Sequence, residues 1–138
     1  MGTDIRPELA VSNKYWISKH RFYELKHFCL QYPEWKEAYQ YVMEGCLPCG
    51  LRINEVREAL SDPTPKLAIL KTEYSNKIKV VEDTAKEATP ELSDYILKAV
   101  TEGASYNFLK TRLDMPCGKD MFYDRYRRFF WLLDKAHI

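Results

Sequence analysis

A chain of 138 residues with 46% apolar and 30% charged side chains has room for one domain or two small helical lobes and reads as soluble and globular. Its formal net charge of +1 excludes a bulk field that would drive it onto nucleic acid or a membrane, so any such binding needs a local patch. No apolar run reaches the ~20 residues of a membrane span. The start "MGTDIRPELAVSNKY" lacks a basic-then-apolar leader, which leads to the expectation of a cytoplasmic protein with no membrane partner.

Residues 1–12 read as a loose arm. In "SKHRFYELKHFCLQY", 18–32, a Ser stands where a helix cap belongs, and Phe22, Leu25, Phe28, Cys29 and Tyr32 recur at helical spacing. "PEWKEAYQYVMEG", 33–45, restarts a helix with Pro in the first turn and Gly45 at the stop; Trp35, Ala38, Tyr39 and Val42 form its apolar stripe. The two are expected to pair as a hairpin.

"CLPCG", 46–50, reads as a turn and "RINEVREALSD", 52–62, as a short helix broken by "DPTP". A long helix is predicted from about Pro65 to Ala88, with Leu67, Leu70, Tyr74, Ile78, Val81 and Ala85 as a narrow seam. "ATPELSDYILKAVTEG", 88–103, begins again with Thr89 as the predicted cap and Pro90 at the first position; Leu92, Ile96 and Val100 share a face, and Gly103 marks the stop.

Ser105 is placed to cap a short helix, 106–113, which "DMPCG" ends because Pro116 cannot continue it. A longer helix runs from near Lys119 to about Lys135, with Phe122, Tyr126, Phe129, Phe130 and Leu133 inward. Lys119, Asp120, Tyr123, Asp124, Arg127 and Trp131 point away, and Arg125 and Arg128 flank them. No segment alternates as a strand would. The prediction is an all-α chain of six or seven helices: an N-terminal hairpin, a long central helix and a C-terminal helix-turn-helix. The expected division is 1–62 and 63–138.

The chemistry legible here is that of binding. Cys29, Cys46, Cys49 and Cys117 include one C-x-x-C pair, but no second pair supplies a zinc module, and the turn setting does not suit a redox motif, so free thiols are expected. His20, His27 and His137 are dispersed, and no nucleophile, paired carboxylates or phosphate-cradling glycine loop stands near them, so neither an enzyme nor a cofactor is expected. The last three helices have the order of a minimal helix-turn-helix domain, whose final helix enters the major groove. Base readout needs long hydrogen-bonding side chains at the start of that helix, where Lys119, Asp120 and Tyr123 stand. Phosphate anchoring needs cations beside the groove, and Lys110, Arg112, Arg125, Arg127 and Arg128 are in place to supply it. The plain alternative is a helical hairpin with a solvated, mixed-charge face, since Asp114, Asp120, Asp124 and Asp134 dilute the positive charge.

The stretch "TEGASYNFLKTRLDMPCGKDMFYDRYRRFFWLL", with "PELSDYILKAV" before it, resembles the C-terminal end of small phage transcriptional regulators of the RinA and ArpU type, which is similar to region 4 of sigma factors. The shared pattern is Ser105 and Tyr106 opening the first helix, the pair Leu109 and Leu113, and then a turn. A recognition helix follows, with Lys119 at its start, the step Phe122–Tyr123, then Arg125, Arg127, Arg128 and an apolar end. The chain also resembles small proteins of Firmicute prophages and mobile elements. It departs from the regulators in a longer turn and in having Asp120 and Asp124 where they more often carry basic or neutral polar residues. The resemblance covers roughly the last third of the chain and implies a transcription regulator that binds double-stranded DNA through Ser105, Tyr106, Lys110, Lys119, Asp120, Tyr123, Arg125, Arg127 and Arg128.

The window "NKYWISKHRFYELKHF", 13–28, is the most basic in the chain, with one acid, Glu24. Three roles suit it: a solvated face over an aromatic core, a second nucleic-acid surface with stacking aromatics, or a contact through Tyr15, Trp16 and Tyr23 to RNA polymerase or a second copy of the chain. Two other functional classes compete with the regulator. One is a phage DNA-packaging protein like small terminase subunits; the other is a protein-interaction adaptor that binds no DNA.

Overall fold

The computed structural model describes residues 13–45 and 64–136. Among them there are six α-helices and no strand. They are α1 (Lys19–Leu30), α2 (Tyr32–Met43), α3 (Thr64–Ala88), α4 (Ser93–Glu102), α5 (Tyr106–Arg112) and α6 (Lys119–Ala136). The all-α expectation holds. The predicted turn at Cys46 and Cys49, the short helix at 52–62 and the expected division at 62/63 lie outside the described residues.

Local signals set most helix ends. The Ser18 side chain accepts the Arg21 N–H at 3.4 Å and caps α1. Gly45, with φ 79°, closes the turn after α2 by donating its N–H to the Val42 carbonyl at 3.0 Å. Gly103, with φ 72°, ends α4 in the left-handed conformation. One start differs from expectation. Thr89 does not cap α4: residues 89–92 close a tight turn, the Leu92 N–H donating to the Thr89 carbonyl at 3.3 Å, and the helical ladder opens only with the Ile96 N–H on the Leu92 carbonyl. Pro90 has no N–H to lend that turn, and the Thr89 hydroxyl donates to the Glu91 carboxylate at 3.3 Å.

The chain divides into two compact units. One comprises Met1–Gln31 with Val80–Ile138, the other Tyr32–Lys79; α3 runs across the division. In the first unit, α1 packs on α4 and α6, and α4 packs on α6. So α1 spends its apolar face on α4 and α6. The reason is the fit of its stripe: Phe22, Leu25 and Cys29 are buried, and the Phe22 ring meets Phe130 edge-on at 5.0 Å. Burying a side chain of that size stabilises by roughly 1.5–3 kcal/mol. Val81, Ala85, Ala88, Leu92, Ile96, Val100, Leu109 and Met115 complete the core. The buried hydroxyls of Thr84 and Thr101 donate to carbonyls one turn back, at Val80 and Leu97, both at 2.6 Å.

In the second unit, Tyr32, Trp35, Ala38 and Val42 of α2 and Leu67 of α3 are buried, and the Lys77 ammonium lies 5.8 Å from the Trp35 ring centre. The predicted seam of α3 is uneven: Leu67, Val81 and Ala85 are buried, whereas Leu70, Tyr74 and Ile78 are half-buried.

Candidate nucleic-acid interface

The C-terminal motif is built from a short helix, a braced turn and a long helix. Ser105 accepts the Phe108 N–H at 3.1 Å and so starts α5. After Arg112 the chain leaves the helix through Asp114, whose φ of 54° is the left-handed turn-out that usually falls to Gly or Asn. The Met115 N–H then folds back onto the Leu109 carbonyl at 3.2 Å. Met115 and Cys117 point inward and are buried. Burial pushes the Cys117 thiol pKa up, and nearby Lys110 partly opposes it.

Three side-chain bonds fix this turn. The Lys110 ammonium donates to the carbonyls of Met115 at 3.1 Å and Cys117 at 3.2 Å, and the Tyr106 hydroxyl donates to the Cys117 carbonyl at 3.4 Å. The Tyr106 ring also lies 5.6 Å from Phe122 and 6.4 Å from Tyr123. Tyr106 and Lys110, both expected at DNA, are thus committed first to joining α5 to the start of α6.

The inner face of α6 is the one predicted: Phe122, Tyr126, Phe129, Phe130 and Leu133 are all buried. At its start, Lys119 and Asp120 are exposed and Tyr123 is half-buried. Asp120 in the first turn complements the positive end of the helix dipole whatever else it does. Further along, the Arg125 guanidinium is paired with Asp124 at 3.1 Å, so a phosphate there would compete with an internal carboxylate. Arg127 and Arg128 differ. The Nε of each is shielded from water with no hydrogen-bond partner among the described residues, and such an unmade bond costs roughly 1–3 kcal/mol.

The second half of the outward face of α6 is not bare. Tyr15 meets Trp131 edge-on at 5.5 Å. The Lys14 ammonium sits 5.0 Å from the Tyr15 ring centre, and the Lys135 ammonium 4.3 Å from that of Trp131. Alongside, Arg21 of α1 donates to Asp134 at 2.6 Å and to Glu24 at 3.0 Å. Those two carboxylates hold the guanidinium more firmly in its charged form, Asp134 the more strongly. Helical spacing places Trp131 outward but gives no role to Lys14 or Lys135. The only signal for Lys14 was the basic window in which it lies. Lys135 had none, since its neighbour comes from the other end of the chain.

Among the described residues no group of His, Cys, Asp and Glu has a metal-holding arrangement, and no helix is long and apolar enough to cross a membrane. No family model, curated protein or solved structure matches the chain.

Proposed function

We propose that the protein is a DNA-binding helix-turn-helix protein, a transcriptional regulator of the small phage and mobile-element kind. The observation that carries the reading is the braced turn. Lys110 and Tyr106 fix the link between α5 and α6 while leaving the first turn of α6, with Lys119 and Asp120, facing solvent. A helix used to read base edges needs that combination of rigid placement and an open N-terminal face. In this reading Lys119 and Tyr123 contact base edges, Asp120 accepts from a cytosine amine, and Arg127 and Arg128 hold phosphates. Ser105 and Tyr106 set the position of α5, and Arg125 reaches a phosphate only by leaving Asp124.

The second reading, a protein-interaction adaptor or packaging component, draws on different residues of the same motif. Phe108 and Met121 are large apolar side chains that remain exposed, and Asp120 and Asp124 lower the positive potential at the start of α6.

The deciding experiment is fluorescence anisotropy with a random duplex at several salt concentrations, together with light scattering. The regulator is expected to bind at micromolar level with strong salt dependence as a monomer or dimer. Replacing Arg127 by Ala should weaken binding to all sequences and reduce the salt slope by about one unit. A large ring that binds DNA supports packaging, and a protein that binds no duplex even at low salt supports the adaptor.

A further inference from the structure

We propose that the phosphate-anchoring surface of this protein is a composite one. In it the N-terminal segment before α1 and the second half of α6 present Lys14, Lys135, Arg127 and Arg128 together to a nucleic-acid backbone. The inference rests on the DNA-binding reading and names a surface for which the motif alone gives no reason.

The juxtaposition is set by aromatic packing. Tyr15 is buried and lies edge-on to Trp131, and each ring carries its own lysine, Lys14 on one and Lys135 on the other. Residues at either end of the chain therefore contribute cations to one place. Arg127 and Arg128 stand four and three residues before Trp131 in the sequence, so both lie one helical turn from it on the surface of α6.

The local charge is not cancelled. Glu24 and Asp134 are both bonded to Arg21, which leaves one net negative charge against the four cations of the surface. The remaining acids on α6, Asp120 and Asp124, stand in its first two turns. The charge of α6 therefore runs from mixed at the start to basic at the end, the reverse of a design in which its tip supplies the affinity. The Nε of Arg127 and of Arg128 is buried without an acceptor among the described residues, so a phosphate would meet these side chains through their outer guanidinium nitrogens. Ammonium groups over aromatic faces remain free to donate outward, since a ring takes up none of their N–H bonds with an oxygen. A phosphate backbone is the partner this arrangement fits: a repeating anion read by charge rather than by sequence.

The test is the salt dependence of random-duplex binding by the full chain and by three variants. Lys14→Gln with Lys135→Gln removes two cations and keeps the side-chain length. Lys119→Gln removes the exposed cation at the start of α6, and Lys36→Gln removes an exposed cation of the other unit. The double variant is expected to lose close to two units of slope, about 0.9 for each phosphate contact, with unchanged circular dichroism and melting temperature. Lys36→Gln should leave the slope as it is. If the protein binds DNA but the double variant keeps the full slope, or Lys36→Gln flattens it as much per charge removed, the composite surface is wrong and the DNA-binding reading stands. If Lys119→Gln alone removes most of the slope, anchoring lies at the tip of α6 and the proposal is again overturned. If the unaltered protein binds no duplex at low salt, both fall together.

Discussion

The Lys110 ammonium has two backbone carbonyls within hydrogen-bond reach, at 3.1 and 3.2 Å, and at most one proton left for anything outside the fold. A lysine beside a presumed groove suggests a phosphate contact from sequence, because position and charge are all that sequence displays. In the structure its main work is local. Lys110→Met should therefore destabilise the protein by roughly 1–2 kcal/mol, the value of charged hydrogen bonds on a largely exposed side chain. The midpoint of urea unfolding would read it. A variant as stable as the parent would mean that water serves those carbonyls equally well. Arg125 carries the same lesson more weakly, since Asp124 beside it already takes up its charge.

At the scale of the element, two caps frame the approach to α5. Ser105 supplies the side-chain acceptor that its first turn needs, and Gly103 supplies a left-handed residue with open space around it. Ser105→Ala is expected to cost about 1 kcal/mol. Gly103→Ala should cost roughly 1–2 kcal/mol through backbone strain alone, because an added Cβ would meet nothing within 4 Å. Thermal unfolding of both single variants would check this; a neutral Gly103→Ala would show that the link between α4 and α5 relaxes freely. Element limits and inward faces were largely legible in the sequence. The five buried positions of α6 follow from helical spacing and aromatic weight, and the stop at Gly45 from a residue tolerant of positive φ. The start of α4 departs from the sequence expectation because "T-P-E" satisfies the pattern of a capped helix while also making a tight turn. The seam of α3 was legible as a stripe, yet spacing says only that a stripe exists, and its middle is half-buried.

At the scale of the molecule, the arrangement of α1 was not legible. An amphipathic helix announces that it has a face to bury but not against what. Here the partners are α4 and α6, tied by an ion pair between Arg21 and Asp134, 113 positions apart. A similar separation in sequence hides the Tyr15–Trp131 contact, and with it half of the proposed anchoring surface. One consequence is open to experiment. Phe22, Leu25 and Cys29 of α1 are buried, and losing the first two alone removes roughly 3–6 kcal/mol of apolar burial. That is a large part of the whole stability of a domain, about 5–15 kcal/mol. A fragment spanning 63–138 should therefore show no cooperative urea transition, whereas the full chain should. A fragment that melts cooperatively at the same midpoint would mean that α1 is an ornament on an independent domain.

The placement of α1 also bears on how the protein is made. Asp134 of α6 follows Arg21 of α1 by 113 residues. At ~5–20 residues per second, α6 emerges from the ribosome on the order of ten seconds after α1. Through that interval Phe22 lacks the Phe130 ring it meets in the fold. The nascent chain thus carries a partly uncovered apolar stripe until α6 arrives, which makes α1 a segment where a chaperone, or a misplaced neighbour, would take hold.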